Sequence, residues 1–380
     1  MSEYQYVVFQ AVDGPLNDKQ LEFAEAQSSR ADVSRWTLSC EYDYSSFRGD
    51  VDALLRGGFD VYLEYTNYGT RVIKLRLPHG FPVAESVWSK YVDGEQLLWK
   101  KDAEGSGGIL TLEPFHDAND RFTYGDTEPY LKAAIQVRDR LMSGDLRALY
   151  LLWLCAADDD YNDPAETIEP PVPHGIAGIE ADCGDLLWFY GLDPLLLVVA
   201  GMDVDDAPPE DSQDPVTTWV DALDEPTTKE LLLRLLKGDT SGEKARLLAE
   251  TRDSQSSGGW PTIDKQRSFE ELVRDADALR DTENARQARK AEANAAQERA
   301  SRLNALRKDP DKWLRETEQL VDARKTVNYD IAADILLDLR EAIGGDEGDK
   351  IARRQAENLI KQQPTAYRLK SELRKRGLLE

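Results

Sequence analysis

Six basic residues near the end of the chain are the side chains whose type and spacing best fit a binding role. They are Lys361, Arg368, Lys370, Arg374, Lys375 and Arg376. Clustered lysine and arginine side chains suit either nucleic acid or an acidic protein surface. A structural role is the alternative, because cations also stabilise the carboxyl end of a helix by offsetting its dipole. The cluster could equally dock on the acidic stretch 148–228 of the same chain.

Two acidic clusters have the carboxylate oxygens that Mg²⁺ and Ca²⁺ prefer. However, Asp158–Asp160 and the group Asp203, Asp205 and Asp206 lack the glycine and the closing glutamate of an EF-hand loop. We therefore interpret both clusters as solvated loop charge. Gly105–Gly108 could cradle a phosphate, but it lies between two predicted strands and precedes no helix, so a hairpin turn is favoured.

The chain contains none of the common catalytic or nucleotide-binding motifs. P-loop, dinucleotide-binding, nucleophile-elbow and HExxH patterns are all missing from the sequence. The three histidines are His79, His116 and His174. This number excludes a histidine-rich metal site, and a Ser-His-Asp triad would have to use one of the three. We predict no catalytic residue, no cofactor and no metal ligand.

Cysteine usage agrees with a reducing compartment. The three cysteines are Cys40, Cys155 and Cys183. Their number is odd and their spacing is wide, so we expect reduced and mostly buried thiols. The N-terminus shows no secretion signal, and no apolar run reaches the roughly 18 residues that cross a bilayer. We expect a cytoplasmic protein with no membrane partner.

Charge is distributed unevenly along the 380 residues. The net charge is −25 at pH 7, which disfavours binding of the whole surface to nucleic acid or to an anionic membrane. No lysine or arginine occurs between Arg147 and Lys229, whereas the charges after Asp264 nearly balance. The acidic excess therefore belongs to the earlier part of the chain, and the basic cluster to its end.

The first 128 residues read as strands and short helices, which predicts an α+β domain with a mixed β-sheet. The predicted strands are Tyr4–Val12, Val33–Tyr44, Asp60–Tyr65, Arg71–Leu77, Gln96–Lys100 and Ile109–Leu112. Turn residues at Asn67–Gly69 and Gly105–Gly108 join the last four strands into two hairpins. Short helices are expected to begin near Asn17 and Asp50 on one side of the sheet.

Helical patterns replace the strands after residue 128. An acidic helical domain is expected over 129–253, with the nearly all-apolar Leu146–Ala157 as its central buried helix. Ile176–Tyr190 is expected to form another helix of this domain. A linker is predicted over 254–267, where serine and glycine are frequent at the start.

The last region, 268–380, is predicted to be entirely helical. Ser268–Glu271 is a capping box, and neither glycine nor proline follows before Lys308, so one helix of about 40 residues is expected. In its middle, Ala285–Ala300, alanine is the sole apolar residue type, so this part buries little unless it packs closely against another surface. An array of C-terminal helical hairpins is predicted to follow the long helix.

Several short stretches carry a resemblance to known sequences. They are Glu3–Tyr6 with Phe9–Asp13 and Pro15–Leu16, Phe47–Asp50 with Asp52 and Leu54, Asn67–Thr70 with Leu75–Pro78, Gly144–Arg147 with Leu149–Tyr150, and Glu169–Pro173. They cover most of the first 200 residues and resemble an uncharacterised family of bacterial hypothetical proteins, which implies no assigned activity. Tyr329–Leu339 and the terminal basic helices are similar to the helical tails of SWIM zinc-finger proteins. The Cys and His ligands of that finger are missing, so the similarity implies a helical interaction module without zinc.

These observations favour a non-enzymatic interaction or adaptor protein that binds another protein through its C-terminal helical module. Ala285–Ala300 is a second candidate contact, where the long helix could self-associate as a coiled coil. One alternative is a nucleic-acid-associated protein that uses the same basic helices, and it would show steep salt dependence. Another is a carboxylate-based hydrolase of unknown substrate, since general acid–base catalysis needs no sequence motif. Its mark would be a pocket with two carboxylates whose pKa values differ.

Overall fold

The computed structural model describes residues 3–92, 94–115, 127–206, 220–221, 223–237 and 260–380. The chain forms two compact units, Met1–Arg280 and Asp281–Glu380. The first unit contains a β-sheet and helices, and the second is helical throughout its length apart from its turns. The predicted α+β class is therefore confirmed.

A seven-stranded sheet forms the centre of the first unit. Its strands are β1 Tyr4–Gln10, β2 Asp32–Val33, β3 Thr37–Asp43, β4 Val61–Thr66, β5 Arg71–Leu77, β6 Leu97–Lys101 and β7 Gly108–Leu112. Their order is β2-β3-β1-β4-β5-β7-β6, and every pairing between them is antiparallel. The two predicted hairpins, β4–β5 and β6–β7, are present. The sheet is antiparallel where we expected a mixed one, because side-chain alternation identifies strands but not the direction of their neighbours.

Helices cover both faces of this sheet. The described α-helices of the first unit are α1 Asp18–Gln27, α2 Val51–Arg56, α3 Glu85–Trp88, α4 Glu128–Met142, α5 Leu146–Ala157, α6 Glu180–Cys183, α7 Asp185–Tyr190, α8 Leu195–Ala200 and α9 Glu225–Lys237. Residues of α1 and α2 share one core with Val7, Phe9 and Tyr62 of the sheet. Asn17 and Gln20 form a capping box at the start of α1, which explains where this short helix begins.

The other face of the sheet packs against α4, α5 and the helices that follow. Every residue of α5 except Arg147 is buried, which confirms the predicted central helix. Leu63 and Ile73 of the sheet belong to the same core as Leu151 and Leu187 of the helices. One continuous core therefore contains residues from both sides of the predicted boundary at residue 128. Whether the two sides fold independently stays a prediction.

The segment Ile176–Tyr190 does not form the single helix that we expected. A 3₁₀ turn, Ile176–Ile179, is followed by α6 and α7, which Gly184 separates. Gly184 is the C-terminal cap of α6 and the N-terminal cap of α7, and its N–H donates to the carbonyl of Glu180. Glycine costs roughly 1 kcal/mol relative to alanine inside a helix, so a break at this residue is the cheaper arrangement.

Residues 260–268, which include the second half of the predicted linker, pack against the rest of the first unit, and we call them the strap. Strand β8 (Val172–Pro173) pairs with β9 (Thr262–Ile263) in a separate two-stranded sheet. Arg267 donates to both carboxylate oxygens of the fully buried Glu169, at 3.0 and 2.8 Å, and Tyr150 donates to the same carboxylate. Residues 254–259 of the predicted linker lie outside the described residues.

Five helices make up the rest of the chain. They are α10 Phe269–Lys308, α11 Pro310–Asp322, α12 Thr326–Ile343, α13 Gly345–Gln362 and α14 Tyr367–Lys375. The single long helix is confirmed, and so is its capping box. The Ser268 hydroxyl accepts the N–H of Glu271 at 3.2 Å, and the Glu271 carboxylate accepts the N–H of Ser268 at 3.1 Å. The chain passes from the first unit to the second within α10.

Helix α12 is the central helix of the second unit. On one side its Ala332 and Leu336 share a core with buried residues of α13 and α14. On another side its Ile335 and Leu339 pack with Leu306 from the end of α10. Because these residues recur at three- and four-residue spacing, α12 presents apolar side chains to helices on two of its sides.

Candidate partner-binding surface

Helix α14 is held in the second unit by its apolar side. Leu369 and Leu373, four residues apart, are fully buried in the core that also contains Leu336 and Ala356. Leu378, just beyond the helix, is buried in the same core. This spacing directs one side of α14 inward, so the polar residues between the leucines occupy the remaining surface.

Arg376 and Lys375 close the end of α14 with ion pairs. Arg376 Nε donates to Asp334 of α12 at 2.7 Å, and its Nη1 donates to Glu372 at 2.7 Å. Lys375 Nζ donates to the other oxygen of Glu372 at 2.6 Å. Hydrogen bonds from Lys375 and Arg376 lower the pKa of Glu372, and the hydrogen bond to Asp334 raises the pKa of Arg376. The carboxylate of Glu372 therefore stays charged and keeps both cations in place.

Arg368 makes a third contact of this kind. Its Nη2 lies 3.3 Å from a carboxylate oxygen of Asp330, one turn before Asp334 on α12. Arg368 and Arg376 thus connect α14 to α12, and Lys375 pairs with Glu372, which Arg376 also contacts. We refer to Arg368, Lys375 and Arg376 as the clamp residues.

The other three predicted cations, Lys361, Lys370 and Arg374, lie at the surface. All three are exposed, and within the described ranges none of them forms an ion pair with an acidic side chain. Arg374 Nε donates to the main-chain oxygen of Glu380 at 2.8 Å. The structure therefore divides the predicted set into clamp residues and outward-facing cations.

Tyr367 lies beside the outward-facing cations, and sequence reasoning missed it. Its side chain is 83% exposed at the first position of α14. Lys370 and Arg374 follow three and seven residues later, so all three share one face of the helix, beside the buried stripe of Leu369 and Leu373. We call Tyr367, Lys370 and Arg374 the outer flank of α14. The three- and seven-residue spacing was the available signal, but attention to charge alone passed over the aromatic residue.

The two units differ in charge. Asp281–Glu380 contains 21 basic and 19 acidic residues, a net charge of +2. The preceding 280 residues contain 26 basic and 53 acidic residues, a net charge of −27. The second unit is therefore nearly neutral, so it carries no acidic excess that would offset a cationic surface on it.

The acidic clusters and the glycine loop have structural positions. Asp159 accepts the N–H of Phe115 at 2.6 Å and that of Tyr161 at 2.8 Å, so it fixes a turn. Gly105–Gly108 forms the turn between β6 and β7 and ends at the first residue of β7. No group of three or more His, Cys, Asp or Glu side chains is placed to hold a metal ion in the part of the chain that the structure describes. His116 lies outside that part.

The three cysteines are free and buried, as their spacing predicted. Burial raises the pKa of Cys155 well above its ordinary value. Burial also raises the pKa of Cys183, to about 11, although the neighbouring Arg140 opposes the shift. Both thiols are therefore protonated at neutral pH and poor nucleophiles.

A cavity of about 550 Å³ lies between α11 and α12 in the second unit. Its lining residues are Lys312, Arg315, Glu316, Gln319, Leu320, Ala323 and Asn328. Glu316 is the one carboxylate among them, so this cavity lacks the pair of carboxylates that a hydrolase of the proposed type requires. The hydrolase alternative gains no support from this cavity.

The middle of α10 is exposed on every side. Each residue from 281 to 302 is exposed, whereas Leu306 near the end of the helix is fully buried. Arg299 and Arg302 pair with Glu341 and Asp338 of α12, at 2.5 and 2.8 Å. Between residues 281 and 298, helical propensity and not packing against the described residues must therefore maintain the helix.

No family model, no curated protein and no solved structure matches the chain. The similarities to a bacterial family of hypothetical proteins and to SWIM zinc-finger tails therefore stay predictions. Among the helices in the described ranges, none combines the length and the apolar character that crossing a membrane requires.

Proposed function

We propose that this chain is a non-enzymatic interaction or adaptor protein, and that its C-terminal helical module binds another protein. The observation that carries the proposal is the arrangement of α14. Its leucines and clamp residues are used inside the second unit, while Lys361, Lys370 and Arg374 remain exposed without acidic partners in the described residues. Exposed cations that form no ion pair with an acidic side chain in the described residues are available for a partner, and complementary charge raises the rate and the specificity of association.

Charge favours a protein partner over nucleic acid. Nucleic-acid affinity depends on neutralising many phosphates, and three outward cations supply few such contacts. The chain as a whole also carries a net charge of −25, which repels a long polyanion. The nucleic-acid alternative would use the same residues, so experiment must separate the two.

The test is affinity purification with the full chain as bait, with nuclease treatment of the extract. We expect a discrete protein partner that survives nuclease treatment. A variant carrying Lys361→Glu, Lys370→Glu and Arg374→Glu is expected to lose that partner, because it reverses the outward charge and leaves the clamp residues intact. Circular dichroism of the variant should match that of the parent chain.

Two results would count against the proposal. The first is a chain that is purified alone at every salt concentration. The second is bound material that absorbs at 260 nm and disappears with nuclease treatment, which would favour the nucleic-acid alternative.

A second copy of the chain is a further proposed partner, through the long helix. The exposure of residues 281–302 supports this proposal, because a helix of that length in water gains stability when a neighbour covers it. Alanine at Ala288 and Ala295, seven residues apart, would let two such helices approach closely.

A further inference from the structure

Helix α14 and its C-terminal cap residue contain far more positive than negative charge. Five basic residues occur between Tyr367 and Arg376, against the single acid Glu372. Glu372 forms ion pairs with Lys375 and Arg376. Asp330 and Asp334, the two acids that face α14 from α12, form ion pairs with Arg368 and Arg376. Within the described residues, every acidic partner of α14 therefore lies on the clamp side of the helix.

We infer that the outer flank, Tyr367, Lys370 and Arg374, is the contact surface of the module, and that it binds an acidic segment of a partner protein that places an apolar side chain against Tyr367. This inference rests on the proposed function and narrows it to one side of one helix. It also reassigns Arg368, Lys375 and Arg376 from partner binding to holding α14 in place.

The chemistry of the flank selects an acidic partner. Two cations four residues apart on a helix project side by side, at a distance that carboxylates on a neighbouring segment can match. Burying them against an uncharged surface would leave each cation desolvated without a counter-charge, which is costly. A surface with carboxylates at this spacing avoids that cost.

Tyr367 makes the flank suitable for protein rather than for phosphate alone. Isolated exposed aromatic residues are ordinary on protein surfaces, so exposure by itself identifies nothing. Here the ring shares one helix face with Lys370 and Arg374, and tyrosine and arginine are the residue types most often found where interface energy concentrates. The partner segment should therefore combine carboxylates with at least one apolar side chain.

A peptide titration of the full chain tests this inference. The probe is a fluorescein-labelled peptide of repeating Glu-Glu-Leu, and its uncharged counterpart repeats Gln-Gln-Leu. Fluorescence polarisation should show binding of the glutamate peptide and little binding of the glutamine peptide. The Lys370→Glu/Arg374→Glu variant and the Tyr367→Ala variant should each weaken binding at least about tenfold. Tyr367→Phe, which keeps the ring, should restore most of the affinity.

Helix α13 offers a matched control. Lys350 and Arg354 are also exposed, are also four residues apart, and form no ion pair within the described part of the chain. The Lys350→Glu/Arg354→Glu variant changes the net charge by the same amount as the flank variant. Its affinity for the glutamate peptide should stay within about twofold of the parent value, apart from the weak long-range effect of charge.

Three outcomes would overturn the inference. They are equal binding of the glutamate and glutamine peptides, equal loss in the α13 and flank variants, and tighter binding of a labelled single-stranded oligonucleotide. The proposed function is judged separately, by the nuclease-resistant partner in the purification. If a nuclease-resistant partner is found and still binds the Tyr367→Ala and flank variants, the proposed function is supported. The outer flank is then excluded as the contact surface.

Discussion

Asp52 of α2 forms ion pairs with several cations on one face of the sheet. Its carboxylate lies 2.9 Å from Lys74 Nζ and 2.7 Å from Lys100 Nζ, while Arg56 is farther away at 3.7 Å. Partial burial opposes ionisation, but the hydrogen bonds from Lys100 and Lys74 outweigh it and lower the pKa of Asp52 to about 2. This carboxylate therefore fastens α2 to two strands.

The pH dependence of stability should report this contact. Because the pKa of Asp52 is lower in the folded chain than the ordinary 3.8, its contribution is full above about pH 4 and is lost as the pH falls towards 2. At neutral pH, Asp52→Asn should lower the free energy of unfolding by about 1 kcal/mol, after allowance for solvent screening. Urea unfolding at several pH values should show the parent and variant converging in acid. A difference that stays constant down to pH 2 would contradict this role.

The clamp residues and the outer flank should differ in their effect on stability. Arg376→Ala removes two ion pairs and leaves Asp334 without that partner, so the free energy of unfolding should fall by about 1–2 kcal/mol. Arg374→Ala removes an exposed side chain and should change it by less than about 0.5 kcal/mol. Urea unfolding of the two neighbouring variants makes the comparison. Equal losses would mean that Arg374 is also a clamp residue.

At the scale of elements, one buried carboxylate makes several of the contacts between the strap 260–268 and the rest of the first unit. Glu169 receives Arg267 and Tyr150, and its own N–H donates to the carbonyl of Arg267 at 2.8 Å. Two further main-chain bonds, from His174 to Pro261 and from Phe269 to Thr167, connect the same segments. The start of α10 is therefore positioned by contacts with a segment almost a hundred residues earlier.

Removing the guanidinium of Arg267 should loosen the contact between the strap and the rest of the first unit. Arg267→Ala leaves the buried carboxylate of Glu169 with much less compensation, at a cost of about 3 kcal/mol. Hydrogen exchange should then accelerate at the amides of Glu169, His174 and Phe269, while amides of β1 and β4 stay protected. Arg274→Ala is a suitable control, because Arg274 is an exposed residue near the start of α10 with weak pairs at 3.8 and 4.0 Å. Unchanged exchange at all three amides would contradict the assigned role.

The proposed self-association uses the long helix. Sedimentation of the full chain should show a concentration-dependent increase in mass, and Ala288→Glu with Ala295→Glu should abolish it by placing charge in the closely packed interface. Ala293→Glu with Ala300→Glu places the same charges, also seven residues apart, on the other face of this exposed region and should have a smaller effect. A monomer at every concentration would exclude this route.

For the molecule as a whole, the sequence was most informative where patterns are local. Alternation and turn residues located both hairpins, and the Ser268–Glu271 capping box located the start of α10. The direction of neighbouring strands was not accessible, since alternation is the same in parallel and antiparallel pairs. The break at Gly184 is local but was missed, because this glycine lies inside an otherwise helical pattern. The pairing of the strap with β8 depends on residues far apart in the chain, which local patterns do not contain.

The candidate surface shows the same limit. The sequence identified all six cations, but their division into clamp residues and outward cations depends on Asp330 and Asp334, which lie about forty residues away on α12. Tyr367 could be identified only after this division, because the clamp side of α14 had to be known before the outer flank could be defined. The acidic excess of the first 280 residues and the near neutrality of the second unit were visible from composition alone.

The most direct test of the account is calorimetry with the purified, nuclease-resistant partner and the full chain. Lys370→Glu/Arg374→Glu should weaken binding by at least about tenfold, while Lys350→Glu/Arg354→Glu should leave it within about twofold. Equal affinity of the parent chain and the flank variant would contradict the account. So would equal weakening by both charge reversals, which would mean that overall charge, and not the outer flank of α14, determines the interaction.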